Sequence, residues 1–368
     1  MNSFWKISFR IIGQVFLALI SFIVLLWLAS LFFISLGQGI GTAMFKESVK
    51  AGKSSYAFVA GNKDSKNHLL FLSVEGIILG SPPSYIDAPL GLPRITFGYG
   101  VQDILKAAAK DDSIKGVLLY MQTPGGTIFG SYAIFDGVKA YQKATNKPVI
   151  AYVEGLSASG GVMAMVGADA IYADQGSLVG SIGVLGPTWR YYNKPTATEG
   201  GLLGGGIVTK EGIEETLISA GQSKDLGNPF RRPTPEEIKV LQNGVNIEYD
   251  HFVKQVASNR KLDEKVIREQ LGALIFDNKT AQEYGLIDGT LNRDGVIAKL
   301  AELAKVGEDY QLVRPKAERG GLLSRLFGAL GDENLGQAQR RQLVQGDICA
   351  MATRLPLLYY GDITRLCF

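Results

Sequence analysis

The stretch PVIAYVEGLSASGGVMAMVGADAIYAD, Pro148–Asp174, decides the fold. Its first eight residues, Pro148 to Gly155, form an apolar run with β-branched and aromatic members, the pattern of a strand buried on both faces. Its last six, Asp169 to Asp174, read as a second short strand. The small residues after Ser159 suit a helix that packs closely on its neighbours. Strand, helix and strand in that order make a βαβ unit, and strands joined in this way lie parallel.

The same rhythm extends in both directions. HLLFLSVEGIIL (His68–Leu79) and KGVLLYMQ (Lys115–Gln122) read as further buried strands, with helices over Val101–Asp112 and Phe129–Thr145. The Pro- and Gly-rich Gly80–Gly100 is expected to be a long surface loop that shapes a pocket, and Asn193–Ile207 a flexible insertion. Thr234, Pro235 and Glu237 supply an N-cap, a first-turn proline and a capping-box partner. From there Ile238, Leu241, Val245, Phe252, Val253 and Val256 recur at helical spacing, and a helix-strand-helix stretch runs to about Lys305. The expected division is a short segment 1–10, an apolar span 11–37, a linker 38–65, a main α/β domain 66–315 and a tail 316–368. The tail holds GGLLSRLFGALG and ends in LPLLYYGDITRLCF.

Composition narrows the class. With 368 residues, 46% hydrophobic and 20% charged, the chain has ample core and something membranous besides. A net charge of +3 without a basic stripe argues against a nucleic-acid partner. Glycine is 45 of 368, about 12% against a usual ~7%, with no Gly-X-Y period, so each marks a turn or a close backbone approach. Cys349 and Cys367 form no CxxC or Cys/His cluster, which leaves either a tail disulfide outside the cytosol or two free thiols. No charge falls between Arg10 and Lys46. The run Ile11–Gly37 exceeds the ~7–15 residues of a signal-peptide core and reaches the ~20 that span a bilayer. A cleaved signal is the alternative. Lys6 and Arg10 on one side balance Lys46, Lys50 and Lys53 on the other, so charge alone does not set the orientation.

Two features carry chemistry. TPGG, Thr123–Gly126, follows a strand, where open α/β sheets bind their ligands. Taken alone it is either a plain turn or a place where a backbone N–H faces a ligand. Ser157 and Ser159 stand at the start of a helix, where unpaired N–H groups can hold an oxyanion, and either serine could equally be a simple cap. Together the two features could bring the Gly126 and Gly160 amides to opposite sides of one carbonyl oxygen. A serine nucleophile needs a base. His68 lies inside a strand and His251 in mid-helix, so the search turns to lysine. A lysine amine, ordinarily near ~10.4, must be lowered by a few units through burial before it accepts a proton at neutral pH. Lys224 in SAGQSKDLGNPF is the candidate by context, with Lys210 and Lys194 as rivals.

TPGG, SASGGVMAM, SLVGSIGV (Ser177–Val184) and AGQSKD before a TPEE helix start, in that order, resemble the signal peptide peptidase A family of serine-lysine proteases. The resemblance covers about His68 to Leu303. It implies the α/β fold of Clp protease and crotonase enzymes, repeated βαβ units preceded by one N-terminal transmembrane helix. Ser159 would be the nucleophile, Lys224 the general base and Ser181 the residue that orients the amine, with Gly126 and Gly160 as the oxyanion hole. It further implies no cofactor or metal, hydrophobic peptide substrates such as remnant signal peptides, a ring-like homo-oligomer, and an inner-membrane anchor with the catalytic domain on the extracytoplasmic side. The insertion before Lys224 and the extension beyond LPLLYY depart from the family pattern. Two further classes remain open here: a crotonase-like acyl-CoA enzyme, and an inactive membrane scaffold of the same fold.

Overall fold

The computed structural model describes residues 56–81, 95–188, 191–193, 211–214, 216–316 and 357–360. The apolar run Ile11–Gly37, the loop 82–94, most of the glycine-rich insertion, Lys194, Lys210 and both cysteines lie outside them. Among the described residues no helix is long and apolar enough to cross a membrane.

The strands are β1 (Tyr56–Gly61), β2 (His68–Leu79), β3 (Ile95–Phe97), β4 (Ile114–Thr127), β5 (Val149–Ala158), β6 (Ala170–Ala173), β7 (Leu178–Gly180), β8 (Ile275–Asp277), β9 (Gly289–Thr290), β10 (Gln311–Pro315) and β11 (Leu357–Tyr359). The helices are α1 (Gly98–Ala108), α2 (Ile128–Thr145), α3 (Gly160–Met165), α4 (Pro235–Arg260), α5 (Glu264–Val266), α6 (Asn278–Glu283) and α7 (Arg293–Leu303). The main path of the sheet is β1-β10-β2-β4-β5-β6-β9, and every neighbour along it is parallel except β1 against β10.

The continuous apolar runs have a direct cause, since both faces of the sheet are covered. Leu70, Val117, Leu119, Val149 and Ala151 point to one side, into a core shared with residues of α1, α2, α3 and α4. Their alternates Leu69, Leu118, Ile150 and Tyr152 point to the other, against Val296 and Leu300 of α7. Alternating side chains of a pleated strand must be apolar twice over when helices close both sides.

The structure extends the α/β unit beyond 66–315. β1 pairs with β10 inside the stretch read as linker, and β11 of the tail pairs with β4. The glycine pair of TPGG is not a turn after the strand. β4 runs through it to Thr127, because β2 holds one edge (Ile77 opposite Gly125, Ile78 opposite Gly126) and β11 the other. Helix α4 starts where the sequence says, with Thr234 and Glu237 forming the full capping box.

Phe252 of α4 is fully buried in the core that contains α3. Truncating a buried phenylalanine costs about 3–5 kcal/mol. Phe252→Ala is expected to lower unfolding stability by that order, read as a shift of the denaturation midpoint with unchanged slope.

Candidate active site

β4 and β5 run side by side with Thr123 opposite Ser157, so their carboxyl ends reach the same edge of the sheet. The Thr123 hydroxyl donates to the Gly76 carbonyl at 2.6 Å and accepts the Gly125 N–H at 3.0 Å, which fixes the path of the glycine pair. Gly125 has φ +97°, a conformation that L side chains rarely adopt. A Cβ on Gly126 would overlap the Ile78 carbonyl. A Cβ on Gly160 would overlap the Ser131 hydroxyl and lie 3.2 Å from the Gly126 nitrogen. The two glycines expected to donate from separate loops are therefore in backbone contact. Only residues without Cβ allow it.

Ser159 follows β5 with φ +55° and ψ −113°, buried to 1% exposure. It occupies the N-cap position of α3, yet its side chain caps nothing. Its hydroxyl instead donates to the Gly183 carbonyl at 3.4 Å, and its N–H donates to the Gly180 carbonyl at 2.9 Å. Ser157 is different in kind: its hydroxyl points into the core and donates to the Met165 sulfur at 3.3 Å. Ser181 stands next to Ser159 by register. β7 lies parallel to the end of β5 with Gly180 opposite Ala158, so the following residues, Ser159 and Ser181, leave adjacent strands side by side. Ser181 is also left-handed, at φ +59°, and 6% exposed. Left-handed or otherwise rare backbone at non-glycine residues costs on the order of 1–3 kcal/mol and concentrates where function requires it.

Lys224 lies outside the strand and helix that flank Ser159. It is exposed, in a run of turns, and makes no side-chain hydrogen bond to Ser159. The segment around Lys224 is neither strand nor helix. The histidines are elsewhere. His68 meets the Ser113 hydroxyl at 3.0 Å, and His251 faces Glu248 on α4. Burial and the nearby Lys115 lower the amine of Lys147, but Lys147 precedes β5 and Ser159 follows it. Ten strand residues separate them, about 33 Å.

The Clp protease family profile matches residues 99–172, and the peptidase family S49 profile matches residues 141–307. A candidate signal peptide peptidase SppA of Enterococcus faecium is 30% identical over 263 residues, 70% of this chain and 72% of that protein. The chain belongs to peptidase family S49. A candidate protease of Synechocystis is 30% identical over 234 residues, 63% of this chain and 78% of that protein. A candidate protease of Methanocaldococcus jannaschii is 39% identical over 204 residues, 55% of this chain, and the chain spans 61% of its length.

The S49 chain holds the Lys224 segment by a device that the sequence does not announce. Arg231 grips Asp225 with two bonds (2.6 and 2.7 Å) and Glu237 with two more (2.9 and 2.8 Å). Glu237 also accepts the Thr234 N–H at 2.7 Å. The backbone on the carboxyl side of Lys224 is thereby tied to the start of α4, while the Lys224 side chain stays free to project. The Arg231 guanidinium, with the Thr234 N–H and the Ser223 hydroxyl, holds the Glu237 carboxyl down to about 2 from an ordinary 4.5, and Arg231 lowers Asp225 as well. The capping pattern pointed to Glu237, but nothing local in the sequence marks Arg231 as its second partner.

A carboxyl lowered on folding contributes stability above its unfolded value and loses it as pH falls through the folded value. The Tm difference between wild type and Arg231→Ala is therefore expected to be largest at neutral pH. It should close as pH falls from 4.5 towards 2. A difference independent of pH over that range would show that the ion network does not stabilise the fold.

Proposed function

We propose that the chain is a membrane-anchored serine endopeptidase of hydrophobic peptides such as remnant signal peptides, with Ser159 as nucleophile and Lys224 as general base. The observation that carries this is the backbone contact of Gly126 and Gly160 beside a left-handed, buried and non-capping Ser159. N–H groups that converge in a water-poor site are suited to an oxyanion. In the proposed cycle the Ser159 Oγ attacks a peptide carbonyl, and the Lys224 amine takes its proton. The resulting ammonium protonates the departing amine, and water then hydrolyses the acyl-serine by the reverse use of the same groups. Ser181, adjacent to Ser159, orients the lysine amine.

The exposure of Lys224 supports a base delivered between subunits. An amine on an exposed, clamped segment becomes buried when it enters the cleft of a neighbouring copy. Ring-like self-association then completes each site. The apolar substrate class rests on the family resemblance; the open cavity of ≈ 350 Å³ at the start of α2 is lined by Tyr99 and Phe129 together with Gln102, Asp136, Glu248 and His251. Membrane anchoring and an extracytoplasmic catalytic domain rest on the apolar run Ile11–Gly37 and the family resemblance.

Hydrolysis of an apolar fluorogenic peptide by the detergent-solubilised chain tests the assignment. Ser159→Ala and Lys224→Ala are each expected to lower kcat by at least about 10⁴-fold, with Ser157→Ala and Lys210→Ala active. Full activity in Ser159→Ala would refute the nucleophile, and full activity in Lys224→Ala the base.

Mixing separately inactive Ser159→Ala and Lys224→Ala subunits, followed by reassociation, should restore a substantial fraction of activity. A base acting within its own chain would leave every mixture inactive.

A further inference from the structure

The clamped stretch that carries Lys224 also walls a cavity of ≈ 260 Å³. Asn228, Arg231 and Arg232 line it together with Tyr191, Pro233 and Ile238. The two arginines differ. Every N–H of Arg231 is taken, by Asp225, by Glu237 and by the Arg232 carbonyl. The Arg232 guanidinium lies over the Tyr191 ring, 4.6 Å from its centroid, and has no carboxylate partner among the described residues. A guanidinium stacked on a ring keeps its in-plane N–H groups for another acceptor. The platform is held in place, since the Tyr192 N–H donates to the Pro229 carbonyl at 2.8 Å and the Tyr192 ring packs 6.5 Å from Phe230. The Asn228 side-chain carbonyl accepts the Phe230 N–H at 2.9 Å, which leaves the Asn228 NH₂ group as a donor. A planar cation and an amide beside the apolar Pro233 and Ile238 suit a carboxylate, which a guanidinium binds with two parallel bonds.

We infer that this cavity holds the terminal carboxylate of the peptide being cut. The inference rests on the peptidase function proposed above and follows from the direction of its chemistry. The Lys224 ammonium gives its proton to the departing amine, so the leaving fragment lies against the Lys224 segment. That fragment is the carboxyl-terminal part of the substrate, and its last group is a carboxylate. Gly227, which also lines the cavity, stands three residues after Lys224. Three residues of chain reach at most about 11 Å. An extended peptide advances ~3.3 Å per residue, so a leaving fragment of roughly three or four residues places its end at the cavity. A carboxylate that close to the cut bond exists only where an earlier hydrolytic cut has set the peptide loose. The subsite therefore favours released peptides over segments inside an intact protein, and the reaction that supplies the substrate is itself proteolytic.

The test uses one apolar reporter peptide, cut roughly three or four residues before its end. It is made as the terminal acid, as the terminal amide, and as an acid lengthened past the cut by several neutral residues. The detergent-solubilised full chain is expected to favour the short acid over the amide by about tenfold in kcat/KM, the order of one charge-assisted hydrogen bond. The lengthened acid should match the amide. In Arg232→Gln the ratio of acid to amide should fall to about one, and Arg232→Lys, which restores the charge, should keep part of it. Equal hydrolysis of acid and amide by wild type would overturn the carboxylate subsite and leave the peptidase function standing. A preference that survives Arg232→Gln, vanishes in Arg232→Lys or extends to the lengthened acid would overturn its placement at Arg232. No hydrolysis of any of the three peptides would overturn the peptidase function and the subsite together.

Discussion

The backbone of Gly125 and Gly126 passes between Ile78 on one side and Gly160 on the other with no room for a Cβ. Nearly every other feature of the site follows from that contact. It requires β4 and β5 to be parallel neighbours that end at one edge, so that the carboxyl end of one strand and the helix start after the other meet. It also requires Thr123 to fix the path of the chain, since glycine by itself has too much freedom to keep one conformation. Two N–H groups from distant stretches of sequence become neighbours without any side chain intervening.

Ser159 and Ser181 show what the surrounding structure bears to make this edge. Both adopt left-handed φ values at the ends of paired strands. Such backbone persists only where the neighbourhood over-determines it. Here the neighbourhood is rigid: the Ser159 N–H is tied to Gly180, the Ser181 N–H to Leu274, and α3 behind them is buried throughout. The strain belongs to Ser159 and Ser181, while Ser157, two residues before Ser159, sits in ordinary strand geometry.

The segment around Lys224 is organised by charge rather than by close packing. Arg231 joins Asp225 and Glu237, so the segment next to Lys224 is anchored to α4 although it is neither strand nor helix. The Lys224 side chain remains exposed. The edge of β4, by contrast, is already covered, by a strand from the chain's own tail.

Much was legible in the sequence because the physics is local. Apolar runs bounded by turn residues marked β2, β4 and β5, since strands buried on both faces must be apolar at every position. The capping box marked the start of α4, and the order of TPGG, SASGG, GSIG and SKD marked the family. The proposal of Ser159 over Ser157 rests on the family resemblance and on the glycines after it. What tertiary structure alone decided is long-range. The pairing of Tyr56–Gly61 with β10, the return of Leu357–Tyr359 to Gly125–Thr127, and the grip of Arg231 on Asp225 and Glu237 join residues whose partners no local pattern names. A strand edge accepts any backbone, so its partner is set by where the chain can reach and not by which residues it carries. For the same reason a lysine can be named from its neighbours in sequence, while its burial depends on surfaces far from it along the chain.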